Sequence, residues 1–205
     1  MTIFLLIRHG ENDYVKTGRL AGRLPGVHLN ETGRLQAQSL AQKLAGAPIK
    51  AIYSSPLERA VETAAPIAEA LNLEVVQRDG LLEVDFGDWQ DKKLKGLSRL
   101  KAWKIAQVSP TRMRFPQGES FAEAQYRICY ELDDIAGQHD PKDLVVCVGH
   151  SDPIKLAVAY FLGLPLDLFQ RLSVAPGSIT ALVIGEMGSR LLTLNYDLFF
   201  TLSKP

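Results

Sequence analysis

Neither sign of charge is in excess in this chain: 23 lysines and arginines stand against 23 aspartates and glutamates over 205 residues. The general drive toward nucleic acid or an anionic membrane is therefore missing, and any strong field must be local. Cysteine is nearly absent. Cys129 and Cys147 form neither a CxxC pair nor a metal spacing, and both fall in apolar-periodic segments, so they read as buried free thiols. No apolar run approaches the ~20 residues of a membrane helix. The N-terminal run Ile3–Ile7 has no basic flank and is too short for a signal peptide. Repeats and low-complexity linkers are missing too. A cytoplasmic protein without nucleic-acid or membrane partners is expected; the oligomeric state, with a homodimer left open, is not legible. What remains is 46% apolar and 22% charged, enough for one core of ordinary size.

The patterning alternates strands with helices. Ile3–Ile7, Ala51–Tyr53, Leu73–Val76 and Leu144–Val148 read as short buried strands. Between them, Asn30–Leu44 has apolar residues near helical spacing at Leu35, Leu40, Ala41 and Leu44. A second helix is expected after Ser55, with Ser55 as N-cap, Pro56 at the first position and Glu58 closing a capping box. Pro66 should kink or split it. Trp89–Gly118 reads as an insertion of short helix and loop. Ser120 and Glu123 make another capping box, opening a helix to about Ala136, and Asp152-Pro153 starts one that ends at Gly163. Ile179–Ile184 and Arg190–Tyr196 flank Met187-Gly188 as a hairpin. The expected fold is α/β: a mostly parallel central sheet flanked by helices, with a C-terminal antiparallel edge hairpin and a small insertion. It makes one domain over 1–205, with the inserted subdomain about 89–138.

In open α/β sheets, ligands bind beyond the carboxyl ends of the strands. Arg8, His9 and Gly10 follow the first strand, Ser54 and Ser55 the second with Arg59 one helical turn on, and Gly149, His150 and Ser151 the strand Leu144–Val148. Two arginines and two histidines thus meet on one rim. Arginine forks match phosphate oxygens, and helix starts near Ser55 and Asp152 favour an anion. A neutral histidine can attack phosphorus, while a charged His150 would stabilise the transferring oxygens. Glu83, in "GLLEVDFGDWQ", is the candidate acid for the leaving oxygen, with Asp85 and Asp88 as competitors.

"RHGEN", "SSPLERAVETA", "LLEVDFGDWQ" and "VGHSDPIK", in that order, resemble the histidine phosphatase superfamily, also called phosphoglycerate-mutase-like, over nearly the whole chain. "LAGRLPGVHLNETGRLQA" and "FPQGESFAEAQYR" resemble its small bacterial phosphomutase and phosphatase branch. The resemblance implies His9 as the phosphate-accepting nucleophile, Arg8, Arg59 and His150 as the phosphate pocket, and Glu83 as proton donor. It implies a two-step reaction with no metal or cofactor, on a small phosphorylated substrate. Asn12, Gly22, Arg23 and Ser151 are the substrate-binding candidates, and the loop Asn12–Leu29 with the insertion would recognise the leaving group. Where the family commonly has a threonine, and an asparagine three residues later, this chain has Asn12 and Val15. Val15 offers no side-chain donor, so Asn12 is left to supply an amide.

Other readings have specific weaknesses. "GHSDP" resembles a serine-hydrolase elbow, but Pro153 occupies a position that needs a small residue, and no histidine follows His150. A phosphoglycerate-type mutase would use the same His9 chemistry, yet the chain is short for one. A non-catalytic phosphate-ester module could dispense with groups that are all present. Taken singly, Arg8 could pair with Glu11, Arg59 could be a solvated helix residue, and Lys92, Lys93, Lys95, Arg112 and Arg114 read as solvated. Asp85, Asp88 and Asp91 read as a solvated acidic loop, Trp89 and Trp103 as packing residues, and His28 and His139 as ordinary loop positions.

Overall fold

A computed structural model describes residues 1–198. Strands β1 (Thr2–Arg8), β2 (Ile49–Ser54), β3 (Val75–Gln77), β4 (Leu144–Gly149), β5 (Ile179–Ile184) and β6 (Arg190–Tyr196) form one sheet in the order β3-β2-β4-β1-β5-β6. β1, β2, β3 and β4 run parallel. β5 pairs antiparallel with β1, and β6 antiparallel with β5, so the expected hairpin does end the sheet.

Alternation along the strands sends side chains to two cores. Phe4, Leu6, Val145 and Cys147 face one layer with helices α6 (Phe121–Gly137) and α7 (Ser151–Phe161). Ile7, Ile52, Val146 and Val148 face the other, with α2 (Glu31–Leu44) and α3 (Glu58–Leu71), which follow the one-turn α1 (Asp13–Lys16). Cys129 and Cys147 are free and buried. α6 begins at the expected capping box: Ser120 accepts from the Glu123 amide while the Glu123 carboxylate accepts from that of Ser120.

Several expectations need correction. The helix after β2 starts at Glu58, not beside Ser55, and has no side-chain cap. The Ser55 hydroxyl is engaged with His150, and the Glu58 carboxylate accepts from the Gly26 amide instead. α3 continues through Pro66 without splitting, because Ala60, Ala64, Ile67 and Ala68 hold both halves against the sheet. Leu35 is exposed; Gly33, Ala37, Leu40, Ala41 and Leu44 form the buried face of α2. β3 begins at Val75 rather than Leu73, since Asn72 ends α3 in the left-handed conformation and Leu73 closes the turn onto the Ala68 carbonyl.

Residues 89–138 hold α4 (Leu94–Leu97), α5 (Lys101–Val108) and α6. Trp89, Leu97, Ala106, Phe115 and Phe121 share the core of Phe4 and Leu6, and Trp89 stacks on Trp103.

Candidate active site

β1, β2 and β4 end side by side, and their carboxyl ends put His9, Arg59 and His150 in contact. His9 leaves β1 with its amide bonded to the Gly149 carbonyl, which ties it to the end of β4. The next residue is glycine because of crowding rather than turning: a Cβ on Gly10 would lie 2.5 Å from the Gly33 carbonyl oxygen in α2. The Gly10 amide donates to Thr63 Oγ1 (3.0 Å), and that hydroxyl donates to the Arg59 carbonyl (2.7 Å). One threonine thus joins the histidine turn to the start of α3.

The contacts of His9 fix its proton. Nδ1 lies 2.7 Å from the Gly10 carbonyl, which can only accept, so Nδ1 carries the hydrogen. Arg59 Nε–H points at Nε2 at 3.3 Å, and a guanidinium can only donate, so Nε2 holds a lone pair. Burial, then the Arg59 and Arg8 charges, hold the His9 pKa well below its ordinary value. The imidazole is neutral at physiological pH.

His150 caps α7 and packs edge-on to His9 with ring centroids 5.2 Å apart. Its Nε2 is 2.9 Å from Ser55 Oγ, and Nδ1 accepts from Arg59 at 3.4 Å. Burial first, then Arg59, His9 and Arg8, push its pKa well below the usual range. A charged His150 is the expectation; burial and the neighbouring guanidiniums favour the neutral ring instead, with its Nε2–H facing Ser55 Oγ.

Arg59 is 1% exposed. One terminal nitrogen donates to the Gly22 carbonyl (2.6 Å) and contacts His150, while the other is buried without a partner. Arg8 donates to the Val174 carbonyl (2.7 Å), and its Nε is buried and unpartnered. Asn12 accepts from the Val15 amide through Oδ1, and its Nδ2 is likewise unpartnered. Buried donors left unpaired are costly and rare. Arg8, Arg59 and Asn12, which carry these donors, all line one cavity of about 200 Å³ with His9, and two guanidiniums and an amide around one space suit an oxyanion.

Glu83 lines the same cavity. Burial and then the Asp152 charge raise its pKa to about 7, against the Val84 amide, Arg59 and Arg8, which pull it down. Its main chain is clamped: the Glu83 carbonyl accepts from Arg23 (2.8 Å) and Arg127 (3.3 Å), and both arginines also bind Glu119.

The sequence and the fold have known counterparts. The model of the histidine phosphatase superfamily (branch 1) matches residues 4–197. The chain belongs to the histidine phosphatase superfamily. As an enzyme it is of the phosphatase type. It is 32% identical over 200 residues to phosphoserine phosphatase 1 of Hydrogenobacter thermophilus, covering 95% of this chain and 92% of that one. It is 33% identical over 194 residues to a 2,3-bisphosphoglycerate-dependent phosphoglycerate mutase of Thermoplasma acidophilum, with the same coverage. Among solved structures, phosphoserine phosphatase of Entamoeba histolytica in complex with 3-phosphoglyceric acid superposes with a TM-score of 0.87 at 28% identity, covering 97% and 98% of the two chains.

Of the residues expected to form the superfamily's site, Arg8, His9, Asn12, Gly22, Arg59, Glu83 and Ser151 all border the cavity. His150 sits behind Arg59 and His9. Arg23 does not line the cavity; its guanidinium is spent on Glu83 and Glu119. Arg8 bonds Val174 rather than Glu11, and Glu62 binds His28. Lys92, Lys93 and Lys95 are exposed and off the cavity, whereas Leu94 between them lines it. Asp85 caps Gly87, and Asp91 binds Tyr14 and Arg19. Thr63 and Arg127 escape the sequence reading. Asp152 enters it only as a helix start that favours an anion, with no role for its carboxylate.

Proposed function

We propose that the protein hydrolyses a small phosphomonoester through a phosphohistidine on Nε2 of His9. The observation that carries this is a neutral His9 whose lone pair shares a cavity with the three unpartnered donors of Arg8, Arg59 and Asn12. In the first step the Nε2 lone pair forms the P–N bond as the P–O ester bond breaks, and Glu83 gives its proton to the leaving oxygen. Arg8 and Arg59 take up the charge on the transferring oxygens, and His150 supports them through Arg59. In the second step water attacks phosphorus and Glu83 takes its proton. The P–N bond breaks, and inorganic phosphate leaves with His9 restored.

The cavity admits a small leaving group, against a wall of Val15, Leu20, Ala21, Phe86 and Leu94. Similarity to both a phosphoserine phosphatase and a phosphoglycerate mutase supports a compact phosphorylated metabolite as substrate. Phosphate release from a panel of phosphomonoesters, with chelator present, tests the reading for wild type and His9→Ala. The variant is expected to stay folded and lose at least ~10³-fold in turnover. Near-wild-type release by His9→Ala would sink it.

A further inference from the structure

The cavity holds a second carboxylate that the reaction above does not use. Asp152, in the first turn of α7, lines it beside Glu83 and Arg8. Its Oδ1 is 2.7 Å from the ammonium of Lys155, one turn on. Lys155 is buried, bonded also to Gln170 Oε1 (2.7 Å), with its ammonium 5.0 Å from the Phe169 ring centroid. Glu83 makes no ion pair among the described residues, although Arg8 and Arg59 share its cavity. The carboxylate that is paired and the one that is not thus face the same space.

We infer that Asp152, anchored by Lys155, is a positioning residue that keeps the transferable proton on Glu83 until the leaving oxygen takes it. This rests on Glu83 acting as the acid. Like charges sharing a site oppose double ionisation, so a fixed Asp152 carboxylate favours the protonated form of its neighbour. The other charged groups around Glu83 act the opposite way or meet it at its main chain. Arg8 and Arg59 favour its ionised form, while Arg23 and Arg127 hold its carbonyl. Asp152 is the acidic neighbour that offsets the two cavity arginines. Burial acts in the same direction as Asp152.

The test is the pH dependence of kcat/KM for wild type, Asp152→Asn, Asp152→Glu and Glu83→Gln. Two substrates are used: an alkyl phosphate, whose leaving oxygen needs a proton, and p-nitrophenyl phosphate, whose leaving oxygen does not. Asp152→Asn is expected to move the alkaline limb for the alkyl phosphate down by about half a pH unit or more. Asp152→Glu should restore it, and the nitrophenyl rate at low pH should stay within about twofold of wild type. If Asp152→Asn leaves Lys155 as an unpaired buried cation and fails to fold, the double variant D152N/K155M removes both charges and should still move the limb down, by less than Asp152→Asn alone because the ammonium partly offset the carboxylate.

An unmoved limb in a folded Asp152 variant overturns the inference. So does loss of both substrates together across the whole pH range, which would make Asp152 scaffold. Alkyl-phosphate activity lost as in Glu83→Gln, with no limb left to shift, also overturns it and would make Asp152 the acid itself. Glu83→Gln matching wild type on the alkyl phosphate would instead sink the Glu83 reading beneath it.

Discussion

The floor and the mouth of the cavity are built on opposite principles. On the floor, Arg8, Arg59 and Asn12 keep buried donors without partners, and burial and the two guanidiniums hold the His9 pKa well below its ordinary value. At the mouth, the polar groups satisfy one another: Tyr14 donates to Asp91 (2.8 Å), Arg19 pairs with the same carboxylate (2.5 Å), and the Arg19 guanidinium lies 5.2 Å from the Tyr14 ring centroid. Around them the wall is apolar. A floor with unmet valence is prepared for one charged group, whereas a mouth that is self-sufficient discriminates by shape and leaves the chemistry alone.

Substitutions on the floor should do the most damage. Beyond His9→Ala, Arg59→Ala should lower kcat/KM by about 100-fold, since it removes charge-assisted bonds to the phosphoryl group. It should also abolish the rise in Tm that inorganic phosphate gives wild type; an equal rise in both proteins would remove Arg59 from the floor. Gly10→Ala should cost about 2 kcal/mol or more, because its Cβ meets the Gly33 backbone rather than a side chain that can swing away. Urea denaturation reads that loss.

Glu83→Gln sharpens the comparison through stability. A carboxyl whose folded pKa is raised contributes stability that is complete below its unfolded value near 4.5 and is lost as pH rises through about 7. The variant should therefore gain in Tm over wild type between pH 5 and pH 8, as measured by thermal melts; a pH-independent difference would place the Glu83 charge in solvent. The smallest effect belongs to the mouth. Asp91→Asn removes the charge facing Tyr14 and Arg19, while Arg19 keeps its bonds to the carbonyl of residue 91, and should change KM a few-fold with kcat nearly constant. Asparagine keeps the left-handed backbone that Asp91 adopts, with φ of 67°. An equal fall in kcat would make the mouth part of the catalytic machinery.

The floor was more legible in the sequence than the mouth, for a physical reason. Arg8, His9, Arg59 and His150 each sit at a strand end or in a first helical turn, where topology decides position and a short motif declares it. Ser55 was misjudged because its hydroxyl could cap a helix or hold a histidine, and only the packed structure ranks those two offers. Arg23 looked like a ligand contact because a basic residue in a glycine-rich loop gives no sign of a carbonyl 60 positions away. Thr63 and Arg127 serve backbone groups at long range and leave no local trace. The cavity wall from Leu20 to Leu94 exists only because the two segments are stitched together, Leu20 to Lys92 and Asp91, and Gly18 to Leu94.

β1 is bonded on both sides, parallel to β4 and antiparallel to β5, and the chain leaving it is still held through His9 to Gly149 and Arg8 to Ser178. Its amides have no edge from which to fray, so they exchange with solvent only when the sheet itself opens. His9, the proposed nucleophile, therefore keeps its place for as long as the protein remains folded.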